Sequence, residues 1–338
     1  MKILLTGAGG FLGKRLAESL LAAGADQLRL HFRQRPPPGL LEDLQERFPE
    51  ALIESVFANL ASRQGLPEMI GDANCIVHAA AGMRGASADM FANTVVGTSN
   101  LLEAAGSRGV GRIVLTSSFA VFRTIDLSRD AILKESCAIE AVGAEKGPYG
   151  FAKTRQEQIF VEMQARFGFE WAIVRPGVIY GPGGPALSPR VGIQALGFFF
   201  SLGGNATLPL SYVDNCADAI ALVALRAPSG SAYNVVDDDL PTCGGYLRQY
   251  RRRVRKLRVV PVPYGLLFAG ASGFVRYNRV SKGQLPAIMT PYTVRSMFRP
   301  LRYSNQALKE LGWRQRIPTA QALDLLFTHL KEQQARPA

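Results

Sequence analysis

Six short apolar runs in the first half of the chain, most of them followed by an amphipathic stretch, restrict its possible folds more than any other feature. KILLT (2–6), LRLHF (28–32), LIESVFA (52–58), CIVHAAA (75–81), RIVLTSS (112–118) and WAIVRP (171–176) read as strands covered on both faces. The intervening FLGKRLAESLLAAG, GLLEDLQERF, MFANTVVGTSNLLEAAGSRG and GFAKTRQEQIFVEMQARFG read as amphipathic helices. Strands separated in this way form a parallel sheet with helices on both sides. The sequence therefore predicts an α/β, doubly wound Rossmann-type fold, whose ligands lie beyond the carboxyl ends of the strands. Residues 1–176 form the dinucleotide-binding domain in this reading, with Asp214 to Val236 returning to it, and 177–338 form a smaller, mainly substrate-binding region.

The turn after the first strand, TGAGGFLG, sets Gly7, Gly10 and Gly13 between that strand and the first helix. Glycines there let backbone N–H groups approach a pyrophosphate, whose charge the helix N-terminus also favours. The spacing is G-x-x-G-x-x-G, so dinucleotide binding rests on position as much as on the glycines. Farther along, PYGFAKTRQEQ places Tyr149 and Lys153 four residues apart, one helical turn, with a phenol and an ammonium on one face. An aromatic ring packed on a lysine stem is the ordinary reading of such a pair, and only the rest of the chain argues for proton transfer.

TGAGGFLG (6–13), HAAA (78–81), NTVVGTSNLLEAA (93–105), LTSSFAVF (115–122), YGFAK (149–153), RPGVIYGPG (175–183) and YVDNCADAI (212–220) occur in one order over nearly the whole chain. In that order they resemble the extended short-chain dehydrogenase/reductase family, which includes NAD-dependent epimerases and dehydratases and 3β-hydroxysteroid-dehydrogenase-like enzymes. The resemblance implies that Tyr149 is the general acid/base, that Lys153 holds the nicotinamide ribose and lowers the phenol's pKa, and that Ser118 hydrogen-bonds the reacting oxygen. It implies cofactor contacts from Gly7, Gly10, Phe11, Leu12 and Gly13, from Arg33, from Asn59 and Leu60, and from Ala79, Ala80 and Ala81. Thr116, Ser117, Tyr149, Lys153, Pro176, Gly177 and Val178 complete that set. Asn59 stands where the family usually has Asp. A homodimer through the helices bearing Asn93–Gly106 and Tyr149–Gln164 is a further expectation.

The second strand ends at Arg33 with Arg35 behind it and no acid before Glu42. An acid there favours NAD and an arginine accommodates the 2′-phosphate, so NADP is favoured over NAD. Phe119 and Ala120 follow Ser118 where sugar dehydratases carry acids, which disfavours water elimination. The remaining readings are an NAD(P)-dependent oxidoreductase acting on a carbonyl or alcohol carbon of a small, apolar substrate, a nucleotide-sugar 4-epimerase with tightly bound NAD, and a non-catalytic cofactor-binding sensor. The uncharged 191–213 segment suits an apolar substrate, whereas Arg190 and the 251–258 arginines would suit a diphosphate.

Charge is uneven: residues 1–176 carry 19 basic and 19 acidic side chains, and 177–338 carry 20 and 8. The excess concentrates in LRQYRRRVRKLR (247–258). A solvated helix face is the default for such a run, nucleic acid is not expected as a partner, and peripheral membrane contact stays open. No integral span is expected, because glycines and Pro209 interrupt 191–213. The four cysteines lie far apart, which argues against zinc or a disulfide framework and for a cytoplasmic protein. Asp237–Asp239 reads as a solvated turn rather than a metal site, Asp214 and Asn215 as helix caps, His78 as buried, and 123–147 as a mobile lid over the substrate.

Overall fold

The computed structural model describes residues 1–83, 85–142, 144–280 and 290–335. The first half contains β1 (Lys2–Thr6), α1 (Phe11–Ala22), β2 (Gln27–Phe32), α2 (Leu40–Arg47), β3 (Leu52–Phe57), α3 (Leu66–Ile70), β4 (Cys75–His78), α4 (Ser87–Phe91), α5 (Gly97–Ser107), β5 (Arg112–Thr116), β6 (Ile132–Leu133), α6 (Gly147–Phe167) and β7 (Glu170–Pro176). A π-helical turn, Ala92–Val96, joins α4 to α5. The second half adds β8 (Val178–Tyr180), β9 (Gly192–Ala195), β10 (Phe198–Ser201), β11 (Leu210–Tyr212), α7 (Val213–Arg226), β12 (Ser231–Val235), α8 (Cys243–Arg253), β13 (Val259–Pro261), α9 (Tyr264–Val280), α10 (Pro291–Phe298), β14 (Arg302–Tyr303), α11 (Gln306–Glu310) and α12 (Thr319–Ala335).

Seven parallel strands form one sheet in the order β12-β7-β5-β4-β1-β2-β3. The chain winds one way from β1 through β2 to β3, then starts again on the other side of β1 at β4. This reversal opens a crevice beyond the carboxyl ends of β1 and β4. Two apolar layers cover the sheet. Leu5, Val77, Val114 and Val174 face α1 and α7, whereas Leu4, Ile76, Ile113 and Ile173 face α5 and α6. Alternate residues of the central strands thus enter opposite cores, which is why Ile3–Leu5, Cys75–Val77, Ile113–Leu115 and Ala172–Val174 are continuously apolar, whereas the edge strand β3, LIESVF, is largely exposed.

Three expectations change, among them the solvated turn at Asp237. Asp214 and Asn215 are not caps: Tyr212 is the N-cap of α7 and no side chain closes it. Asn215 instead donates to Asp237 Oδ1 at 3.1 Å and to the Ile317 carbonyl at 2.9 Å. Asp237 is itself only 2% exposed, taking hydrogen bonds from the Tyr180 hydroxyl and the Tyr212 amide, and burial pushes its carboxyl up to about 6. Segment 123–147, expected as a lid, is fastened to the C-terminal region. β6 pairs with β14, the Asp130 amide donates to the Pro300 carbonyl at 2.9 Å, and the Thr124 hydroxyl donates to Ser296 Oγ at 3.1 Å.

Candidate active site

The carboxyl ends of β1, β4, β5 and β7 converge on one edge, and the candidate residues follow those ends. Gly7 has φ +76°, and a Cβ there would lie 2.9 Å from the Ala80 amide nitrogen. The glycine turn is therefore pressed against the segment leaving β4. A Cβ on Gly13 would sit 2.0 Å from the Gly7 carbonyl oxygen, so this residue lets the first turn of α1 lie directly on the loop. Gly10 is the N-cap of α1 and no side chain caps it, leaving the helix's first N–H groups to the crevice. This cradle, which side chains would fill, fits a dinucleotide pyrophosphate.

Phe11 and Leu12 turn their side chains away from the cradle into the second-half core. Phe11 lies beneath Gly184, where a Cβ would meet its ring at 2.5 Å. Arg33 is exposed immediately after β2 and donates to Asn93 Oδ1 at 3.4 Å. Gly9 lies against Phe32, one residue earlier, so the end of β2 flanks the glycine turn. Asn59 is exposed, and its Oδ1 accepts the Ala61 amide at 3.1 Å. Leu60 is a core side chain whose carbonyl takes the Asn100 amide at 3.0 Å. Ala79, Ala80 and Ala81 are half-buried beyond β4. Pro176 ends β7, the Gly177 amide donates to the Val235 carbonyl at 3.0 Å, and Val178 begins the short β8. Thr116 Oγ1 and Ser117 Oγ are buried without a hydrogen-bond partner among the described residues. Such atoms at the end of a central strand are costly unless a ligand satisfies them.

Ser118 and Tyr149 meet. Ser118, half-buried after β5, accepts the Ala120 amide at 3.2 Å, capping a short 3-10 turn that aims it toward α6. Tyr149 lies in the first turn of α6, and the Ser118 hydroxyl is near enough to its phenol to bear on its titration. Burial raises the phenol's pKa and the nearby Ser118 hydroxyl partly opposes that. The lowering expected from Lys153 does not govern this phenol. The Lys153 ammonium, 4% exposed, instead donates to the Thr116 carbonyl at 2.9 Å and to Gln156 Oε1 at 2.8 Å. Burial depresses its pKa to about 8, against the pull of Glu157.

A buried polar chain continues from that lysine. The Gln156 amide donates to Thr98 Oγ1 at 2.7 Å, Thr98 donates to the Thr94 carbonyl at 2.5 Å, and His78 Nε2 lies 2.8 Å from Thr98 Oγ1. With its proton committed to Thr94, Thr98 accepts from His78 Nε2, which leaves His78 Nδ1 to accept from the Thr6 hydroxyl at 2.7 Å. Burial drives His78 down to about 3, so it stays neutral and structural, as the sequence predicts. Thr6 and Thr98 fall within the TGAGGFLG and NTVVGTSNLLEAA motifs but Gln156 lies in none, and the local signal for it is its i, i+3 spacing from Lys153.

Lys146, also unmarked by motif, precedes α6 and donates to the carbonyls of Ala120 (2.7 Å) and Phe122, fixing the loop after Ser118. Burial lowers its pKa to about 8. Glu157 and Arg175 form a buried bidentate pair at 3.0 and 2.9 Å that ties α6 to β7. The Phe119 ring stacks on Tyr303 with centroids 5.6 Å apart. Both rings belong to the apolar cluster of Val121, Phe122, Leu133, Val236 and Leu301 that supports the turn after Ser118.

Residues 3–236 match the model of the NAD dependent epimerase/dehydratase family. Among curated proteins, the 2-alkyl-3-oxoalkanoate reductase of Stenotrophomonas maltophilia is 28% identical over 251 residues, covering 69% of each chain. Cinnamoyl-CoA reductase 1 of Oryza sativa subsp. japonica is 27% identical over 334 residues, covering 92% of this chain and 85% of its own. The solved structure of gox2253 has the same fold, with a TM-score of 0.78 at 24% identity, covering 100% of this chain and 99% of that one. The chain belongs to the NAD dependent epimerase/dehydratase family and is an enzyme of the extended short-chain dehydrogenase/reductase type.

Proposed function

We propose that this enzyme is an NADP-preferring reductase or dehydrogenase that acts at a carbonyl or alcohol carbon of a small substrate with an apolar body. The observation that carries the reading is the meeting of the Ser118 and Tyr149 hydroxyls at the carboxyl edge of the sheet, one helical turn from the buried Lys153. When bound, the cofactor supplies or accepts the hydride. Burial keeps Tyr149 protonated, so in the reducing direction it holds the proton that the substrate oxygen needs, and Ser118 orients that oxygen. In this reading Lys153 holds the ribose, which the buried Thr116 and Ser117 hydroxyls, without a partner among the described residues, support as a ligand-facing strand end. The uncharged 191–213 segment favours an apolar substrate over a sugar nucleotide. Arg190, which an epimerase would need for a diphosphate, has Nη1 on the Met297 carbonyl at 2.9 Å. A second copy of the chain is proposed to pair along α5 and α6, near the exposed Val96 and Val161.

Arg33, with no acid at the end of β2, supports the NADP choice. Fluorescence titration with NADPH and NADH tests it. Arg33→Ala is expected to weaken NADPH about tenfold or more, the value of a charge-assisted bond, and to leave NADH unchanged. Equal loss for both cofactors, or a wild type that prefers NADH, refutes the choice.

A further inference from the structure

The small sheet of β9, β10 and β13 has one apolar face that the described chain covers only in part. Phe200 lies opposite Ile193 and Val260 in the register, and strand alternation puts Phe198 and Val262 on that same face. Phe200 and Val262 pack with Leu267, Phe268 and Ala271 of α9. The rest of the face, Ile193, Phe198 and Val260, is exposed, and the β9–β10 turn carries Leu196 at 91% exposure. On α9, Leu266 is 68% exposed, with Phe274 and Tyr277 also outward. No charged residue occurs from Val259 to Val275. Scattered exposed apolar side chains need no explanation, but a set spanning a sheet face, a turn and a helix does.

Cations border this strip. Residues 240 to 309 contain fourteen Lys or Arg and no Asp or Glu, more than accounting for the chain's net charge of +12. Arg251, Arg252, Arg255, Lys256 and Arg258 are exposed and make no ion pair among the described residues, whereas Arg253 pairs with Asp324. The Arg258 carbonyl accepts the Phe199 amide at 2.8 Å, so the basic run leads directly into the exposed sheet, and Arg276 stands exposed on α9. No helix among the described residues is long and apolar enough to cross a membrane. An apolar surface at the level of its own arginines matches an anionic bilayer, with side chains entering the headgroup region and cations meeting lipid phosphates. We propose that α9 and the β9–β10 turn form a peripheral docking surface for anionic membranes. α10, packed on α9, is tied to the segment after Ser118 through Ser296 and Tyr292, so this surface adjoins the candidate active site.

Co-sedimentation with vesicles of phosphatidylcholine alone and of equal parts phosphatidylcholine and phosphatidylglycerol tests the proposal. The expected result is binding at least about tenfold tighter to the anionic vesicles, weakened by salt. A combined Leu196→Ser, Leu266→Ser and Phe274→Ser variant should lose about tenfold or more of it while keeping its NADPH affinity and far-ultraviolet spectrum. Protein that stays in the supernatant with both vesicles overturns the proposal. So does a variant that binds anionic vesicles as the wild type does, because cations alone would then act. A wild-type dimer that the same variant dissociates assigns the face to a second copy instead.

Discussion

Replacing Gly13 by alanine tests whether the start of α1 is pressed onto the glycine turn. The new Cβ would lie 2.0 Å from the Gly7 carbonyl oxygen and 2.9 Å from Ala8 Cα. Carbon and oxygen normally approach to about 3.3 Å, so helix and turn must part by over ~1 Å. Both colliding groups are backbone, which puts the cost at the upper end of overpacking, about 3 kcal/mol. Alanine's helix propensity returns about 1 kcal/mol, leaving a net loss of about 2 kcal/mol. At ~2.1 cal/mol/K per residue the chain's unfolding entropy is about 0.7 kcal/mol/K, so Tm should fall by about 3 °C. Cofactor affinity should suffer more, because the same shift moves the amides facing the pyrophosphate, and one such bond lost is a factor of about ten or more. Gly10→Ala is the control: its Cβ would lie 3.2 Å from the Gly7 oxygen at φ −74°, needing only a few tenths of an ångström. Calorimetry and NADPH titration of both variants decide the matter. A Gly13→Ala protein that binds NADPH as the wild type does, or a larger defect in Gly10→Ala, refutes the close-approach argument.

Glu157→Leu leaves Arg175 buried without its carboxylate and should destabilise the protein by about 3–5 kcal/mol in urea unfolding, whereas Glu157→Leu with Arg175→Met should recover most of that. Lys153 titrates at about 8, below the ordinary lysine value, so its ammonium is present at neutral pH and lost as pH rises through 8. The kcat/KM for carbonyl reduction should therefore fall above pH ~8, since this parameter reports groups of the free enzyme. Lys153→Met should lower the rate and abolish that limb of the profile. A limb unchanged in the variant assigns it to another group.

The sheet was legible because its central strands are buried on both faces and so are apolar through their middles, although the edge strand β3, read as covered on both faces, is largely exposed. β1 matches its sequence reading residue for residue, and the other five differ by three residues or fewer at either end. The overrun in CIVHAAA and RIVLTSS has a physical cause: there the chain leaves the ladder at its carboxyl edge to form the crevice. Tyr149 and Lys153 were legible through one-turn spacing, Gly7 to Gly13 through their place between strand and helix. What escaped depends on distant partners. Three consecutive aspartates look solvated, yet Asp237 is buried because Tyr180, Tyr212 and Asn215 converge on it from earlier elements. The chain from Lys153 through Gln156, Thr98 and His78 to Thr6 joins four elements. Local spacing cannot display it. The same holds for Lys153 itself, whose ammonium is engaged by Thr116 and Gln156 rather than set to lower the Tyr149 phenol.

The most direct measurement is single-turnover hydride transfer from deuterium-labelled NADPH to a panel of apolar ketones and aldehydes, comparing wild type with Tyr149→Phe. The account predicts label in the wild-type alcohol product, a rate lower by at least about a hundredfold in the variant, as for loss of a general acid, and unchanged NADPH affinity. Transfer at the wild-type rate by Tyr149→Phe would contradict it.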